Sequence, residues 1–248
     1  MKESKERIKA AIKNTGLKLE SRRIVINLSP ADTKKEGSIY DLPMAIGILK
    51  SNEYIKREDL SNTVFFGELS LDGKINKING AFPIALEASK LGIERIILPK
   101  ENAKEAAIVQ NIEVIGIKDL KELLEYLNEE ITIKKETIEI KDFFSRRIAY
   151  DIDFNNVKGQ KSVKRALEVA AAGRTQYFTY SDLPVLGKTM MAKCLPSILP
   201  DLSLEEALEV TKIHSVAGLI KDSTPIITNR VFRAPHHTIS GASLIRRW

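Results

Sequence analysis

Three consecutive residues, Gly187, Lys188 and Thr189, stand in the order that closes a phosphate-binding loop. In the full pattern, G-x-x-x-x-G-K-[ST], backbone N–H groups wrap the nucleotide phosphates. The Lys reaches the β- and γ-phosphates, and the hydroxyl holds Mg²⁺. Residues 182–189 read Asp-Leu-Pro-Val-Leu-Gly-Lys-Thr, so the position of the first Gly holds Asp182. Glycine is needed there because the backbone must approach the phosphates closely and take φ > 0. Asp tolerates a left-handed backbone, but β-branched Val185 would be an outlier in it. Asp182 would also set a carboxylate beside a triphosphate, at a cost on the order of a few kcal/mol, or a hundredfold in affinity. The residues therefore predict weak or absent nucleotide binding at a loop whose closing half is intact.

Such a loop works only between a strand and a helix, and the flanking sequence supplies both. Gln176–Tyr180 reads as a short strand running into the loop, and Lys188–Leu195 as the helix after it. Upstream, Val157-Lys-Gly-Gln160 leads into a helix over Lys161–Ala172. Downstream, Leu202–Val216 reads as a helix with Ser203 as N-cap and Glu206 at N3, a capping box. The N-terminal part alternates helix and strand. Helix Lys2–Thr15 is stopped by Gly16, and strand Arg23–Leu28 and a polar loop follow. Asp41 is the expected N-cap of a helix through Leu49. A strand over Thr63–Leu71 turns at Asp72-Gly73 into Lys74–Ile78 as a hairpin. Then come helix Ala81–Leu91, strand Arg95–Leu98, helix Glu101–Val109, strand Glu113–Ile117 and helix Leu120–Leu127. This alternation predicts an α/β chain with a mixed or parallel sheet under helical cover. The charged, β-branched stretch 129–151 reads as an edge strand or a linker, which divides the chain into domains at 1–142 and 143–248.

Composition narrows the class. The chain of 248 residues is 43% hydrophobic and 29% charged, ordinary values for a soluble globular protein. No apolar run reaches the length of a membrane span, and the charged N-terminus lacks a signal-peptide core. A single cysteine, Cys194, excludes a disulfide framework and a cysteine-based zinc site, and a cytoplasmic location fits best. Net charge is +6 and unevenly placed: residues 1–140 balance at 23 Lys/Arg to 23 Asp/Glu, whereas 141–248 carry 16 to 10. The excess allows a polyanion such as nucleotide or DNA as a partner, and equally a solvated basic surface. Adjacent His236 and His237 would point to opposite sides of a strand and have no nearby Cys, Asp or Glu, which makes them poor joint metal ligands. His214 reads as a helix residue without chemistry of its own.

A family resemblance covers nearly the whole chain. Glu168-Val-Ala-Ala-Ala-Gly173, Gly187-Lys-Thr-Met-Met-Ala-Lys193, Leu195-Pro-Ser-Ile-Leu-Pro200, Glu206-Ala-Leu-Glu-Val-Thr-Lys-Ile-His-Ser-Val-Ala-Gly218 and Phe232-Arg-Ala-Pro-His-His-Thr238 resemble the magnesium-chelatase-like AAA+ family, its ComM/YifB branch in particular. Asn27-Leu-Ser-Pro-Ala-Asp32, Asp41-Leu-Pro-Met-Ala-Ile-Gly47 and Phe66-Gly-Glu-Leu-Ser-Leu-Asp-Gly73 are similar to its Lon-protease-like first domain. The resemblance implies a Lon-like βα domain lacking its first strands, followed by an incomplete P-loop AAA+ domain. It implies ATP and Mg²⁺ as cofactors, with Gly187 and Lys188 on the phosphates and Thr189 on the metal. It also implies a homo-hexameric motor acting on branched DNA in competence. On the family pattern the chain stops before the acidic Walker B strand, the sensors and the arginine finger, so negligible turnover is expected of it.

The Lon-like domain raises a rival reading, a Ser–Lys peptidase. A Lys activates a Ser only within hydrogen-bond reach. Where the peptidases carry that pair, this chain has Ile39 and Phe82; Ser38 is one place off, with no Lys at the matching site. Proteolysis is not expected, and a non-catalytic Lon-like module that binds DNA or partners is the remaining alternative.

The departures from the family pattern have a common form. Codons for Gly-Pro-Pro-Gly-Ser, such as GGA CCT CCC GGT TCT G, read one nucleotide late give GAC CTC CCG GTT CTG, which is Asp-Leu-Pro-Val-Leu. The family's His-Asn-Ile-Leu read one nucleotide early can give Thr-Gln-Tyr-Phe, residues 175–178, and A-GGA-GGT-GG read early gives Arg246, Arg247 and Trp248. The sequence thus reads as frameshifted at the loop and truncated at both ends.

Overall fold

The computed structural model describes residues 2–19, 23–28, 37–145, 150, 152–173, 188–221 and 223–232. The chain forms two compact units: Met1–Phe143 with Leu208–Ile226, and Phe144–Ala207 with Ile227–Trp248.

The first unit opens with helix α1 (Lys2–Asn14). Ile8, Ala11 and Ile12 recur at helical spacing on one face and are fully or almost fully buried. Gly16, at φ 87°, takes the left-handed turn that ends the helix. Arg23–Leu28 forms and joins no strand among the described residues, and Ile24, Val25 and Ile26 are exposed. A β-branched run is a strand only where a partner edge accepts its backbone, and the expected strand is corrected to an unpaired segment.

Helix α2 spans Asp41–Ser51. Asp41 is its first helical residue rather than its N-cap, because its carboxylate takes Arg7 at 2.8 Å instead of the helix N–H groups. The expected strand 63–71 divides into β1 (Thr63–Phe65) and β2 (Glu68–Leu69). Gly67 makes the break: its N–H bonds Ile39 O at 3.3 Å, and a Cβ on it would fall 2.6 Å from Ile75 Cγ2. β2 pairs antiparallel with β3 (Ile75–Asn76) as the expected hairpin. Helix α3 (Ala81–Lys90), strand β4 (Arg95–Pro99) and strand β5 (Glu113–Ile117) follow. Between the last two, the helix expected over 101–109 is a 3-10 turn, Lys100–Asn102, and a single turn α4 (Ala103–Ala106). Helix α5 (Leu120–Leu127) is capped by Asp119, which accepts from Glu122 N at 2.8 Å.

β1, β4 and β5 form a parallel sheet in that order, with Val64 opposite Ile96 and Ile96 opposite Val114. Alternation along the strands builds a core on each face. Ile97, Ile115 and Ile117 pack with apolar residues of α1, α2 and α5. Ile96, Leu98 and Val114 pack with Phe82, Ala85 and Ala88 of α3, with α4, and with Ile226. Near-continuous apolar strands of this kind are what a parallel sheet covered on both faces requires. Residues 132–139 form no helix or strand, and Glu136 N bonds Val114 O at 2.8 Å before a short helix, α6 (Ile140–Phe144).

The second unit contains α7 (Lys161–Ala172), α8 (Lys188–Cys194) and a 3-10 turn, Leu195–Ile198. Helix α9 (Leu204–Val216) begins in this unit and contributes its last nine residues, from Leu208 on, to the first. Among the described residues no helix is long and apolar enough to cross a membrane.

Candidate nucleotide-binding site

Helix α8 is described from Lys188, with Thr189 next to it and exposed. The two residues are thus adjacent on one helical segment. Gly187, the loop 182–186 and the expected strand 176–180 lie outside the described residues, as do His236 and His237 and the terminal Arg246-Arg247-Trp248.

What holds α8 is its buried underside. Met191 and Cys194, three residues apart, share one face and are 4% and 0% exposed. They join Phe154, Val157 and Leu167 in a small apolar cluster. Cys194 Sγ lies 3.4 Å from Asp153 O, and Ser197 Oγ donates to Cys194 O at 2.7 Å. Burial pushes the Cys194 thiol above its ordinary pKa, Asp153 adds to the shift, and Lys164 opposes it. Cys194 is thus a packing residue and not a reactive thiol.

The segment ahead of α7 is shaped by two left-handed residues, Gly159 at φ 75° and Gln160 at φ 51°. Val157 is buried beside Phe154, and Lys158 is exposed. Asp153 builds a capping box over Phe154–Asn156, and Lys164 Nζ sits 5.5 Å from the Phe154 ring centroid, a cation–π distance. The motif marks Lys188 and Thr189 but not the packing of Met191, Cys194 and Phe154, which fix the helix that presents them. The i, i+3 spacing of Met191 and Cys194 was the available signal. The capping box at α9 is present: Ser203 N to Glu206 Oε2 is 2.9 Å, and Glu206 N to Ser203 Oγ is 3.2 Å.

The described half of the site fits a phosphate ligand in residue type, with Lys188 and the exposed Thr189 adjacent in α8. The residue types at 182–186 do not fit, since Asp182 and Val185 stand where close approach and left-handed φ call for Gly.

The peptidase alternative gains no support from the first unit. Ser38 donates its hydroxyl to the Glu68 carboxylate, and Phe82 is 3% exposed in the core. His214 is buried in α9, and among the described residues no group of three or more His, Cys, Asp or Glu is arranged to hold a metal.

Comparison with known proteins bears on the whole chain. A family model described as "Subunit ChlI of Mg-chelatase" matches residues 1–102, and one described as "Magnesium chelatase, subunit ChlI" matches residues 153–246. An uncharacterized protein of Mycobacterium tuberculosis is 39% identical over 245 residues, 99% of this chain and 48% of its own length. Competence protein ComM of Haemophilus influenzae is 34% identical over 250 residues, 99% of this chain and 48% of its own. The uncharacterized protein YifB of Escherichia coli is 34% identical over 245 residues, 99% of this chain and 47% of its own. The chain spans about half the length of the curated relatives it matches.

Proposed function

Because the chain belongs to the magnesium-chelatase ChlI-like family and is homologous to ComM and YifB over nearly all its length, we propose that it joins a Lon-like domain, 1–142, to the first part of an AAA+ nucleotide-binding domain, 143–248. The observation that carries the reading is that Lys188 and Thr189 of the motif lie in α8, a helix anchored by Met191 and Cys194. In this reading Gly187 and Lys188 face the phosphates of ATP, and Thr189 faces its Mg²⁺. On this reading the chemistry of the intact protein would be ATP-driven work on DNA; one relative carries the name competence protein. The chain as translated binds ATP weakly or not at all, because residues 182–186 have lost the glycines of the loop. We read those residues as Gly-Pro-Pro-Gly-Ser out of frame, and resequencing the locus checks this directly: ordinary in-frame codons across 175–186 would overturn it.

A fluorescent-nucleotide titration tests the site. The chain as it stands is expected to bind at least a hundredfold more weakly than a version carrying D182G, L183P, V185G and L186S. In that version Lys188→Ala is expected to abolish binding. Equal binding with and without the four changes would sink the account of the loop, and binding insensitive to Lys188→Ala would sink the assignment of the site.

A further inference from the structure

We propose that Leu208–Ile226 is a strap seated on the Lys77–Gly80 loop and the first turn of α3 in the first unit, locked by the buried Glu105 carboxylate, and that it releases as a unit before the parallel sheet opens. Glu105 is 4% exposed and touches three donors. Phe82 N–H reaches its Oε1 at 3.1 Å, Asn102 Nδ2 its Oε2 at 3.2 Å, and the Ser215 hydroxyl donates to Oε1. Asn102 in turn reads the loop twice, accepting from Ile78 N and donating to Ile78 O, each at 2.9 Å. The strap answers with its own backbone. Gly80 N–H donates to Ser215 O at 3.0 Å, and Lys77 Nζ to Ile220 O at 3.1 Å. Gly218, at φ 70°, lies so close to Asn79 that a Cβ would fall 2.7 Å from its Oδ1.

These contacts make the seat specific, and their character makes it releasable. The sheet is held by continuous apolar packing on both faces, whereas the strap meets its loop through polar bonds centred on one carboxylate and adds apolar anchors at Ile220 and Ile226. Ile213, Val216 and Leu219 are each more than half exposed. An element that buries fewer apolar side chains than the sheet it covers opens sub-globally at a lower free energy. The chain leaves the first unit at 143, returns at 208 and leaves again at 226, so the strap is the only stretch of the later sequence assigned to this unit. Opening it would leave a carboxylate with one donor fewer in a buried seat.

Hydrogen exchange on the full chain tests the proposal without nucleotide. In the wild type, the amides of Gly80, Ala217 and Leu219 are expected to exchange through an opening that spares those of Arg95–Leu98 and Glu113–Ile117. Ser215→Ala is expected to speed exchange at the first set roughly tenfold, the loss of one bond to a charged group, and to leave the second unchanged. Glu105→Gln should do the same more strongly, since one acceptor oxygen becomes a donor facing donors. The sheet amides report folding in each variant, and Ser215→Ala and Gly218→Ala carry the test if Glu105→Gln does not fold. Strap and sheet exchanging together with one denaturant dependence, or Ser215→Ala leaving Gly80 and Leu219 unchanged, would overturn the proposal.

Discussion

Arg7 and Asp41 form an ion pair across the first two helices, with Arg7 Nε 2.8 Å from Asp41 Oδ2 and the Asp41 side chain fully buried. The second carboxylate oxygen, Oδ1, has no hydrogen-bond partner. The pair fixes α1 against the start of α2, and among the described residues Arg7 is the cation that compensates the Asp41 charge. Removing one partner of a buried pair costs about 3–5 kcal/mol, and the partial exposure of Arg7 lowers this. Arg7→Leu is expected to cost about 2–3 kcal/mol in urea unfolding. The double variant Arg7→Leu/Asp41→Leu should recover most of that loss. A single-variant cost under about 0.5 kcal/mol would mean that solvent reaches Asp41 as it reaches a surface pair.

Gly116 sits in the middle of β5 against α4 and its preceding turn. A Cβ there would lie 2.8 Å from Ala103 Cβ and 3.1 Å from Lys100 Cα. Gly116→Ala is expected to destabilise by about 1–3 kcal/mol through overpacking. Gly47, inside α2, has nothing within 4 Å of such a Cβ, and Gly47→Ala should stabilise by about 0.5–1 kcal/mol. Thermal unfolding of the two variants checks the opposite signs.

The β2–β3 turn carries a pH dependence. The Ser70 hydroxyl, followed by Lys74, pulls the Asp72 carboxyl from its ordinary 3.8 down to about 2. Because the folded value is the lower one, the stabilisation is fully present above pH 3.8 and is lost as the pH falls through about 2. A carboxyl-carbon NMR titration should place the Asp72 midpoint near 2, with Ser70→Ala moving it back toward 3.8. A wild-type midpoint already near 3.8 would remove the Ser70 contact from the account.

Cys194 offers a probe of the second unit. Its thiol is fully buried and shifted toward the neutral form. Alkylation at pH 8 is expected to be negligible in the folded chain and to appear with unfolding in denaturant. Prompt labelling in native buffer would show that the cluster of Phe154, Met191 and Cys194 is open.

The sequence was most readable where a residue's role depends on its neighbours in the chain. The spacing of Ile8, Ala11 and Ile12, the apolar runs of β4 and β5, and the Ser203–Glu206 capping box all appear where they were expected. It was least readable where a distant partner decides. Arg23–Leu28 has strand composition without a partner edge, the bend at Gly67 depends on Ile39 and Ile75, and the first-turn carboxylate of α2 is diverted by Arg7. At the site, Lys188 and Thr189 were legible as a motif. The helix that displays them owes its position to Phe154 and Leu167, which no motif marks.

The assignment of Leu208–Ile226 to the first unit has a practical meaning for how this chain is cut. Phe82, Ile96 and Leu98 share an apolar cluster with Ile226, and Glu105 shares its buried bonds with Ser215. An expression clone ending near residue 143, the natural place to stop on a linear reading, would omit both. It would expose an apolar face and leave the buried Glu105 carboxylate one donor short, which favours inclusion bodies over monomer. Supplying residues 208–226 in trans as a synthetic peptide, or fusing them behind residue 143 through a flexible Gly/Ser tether, would restore both groups. The first unit is thus a case for fragment complementation.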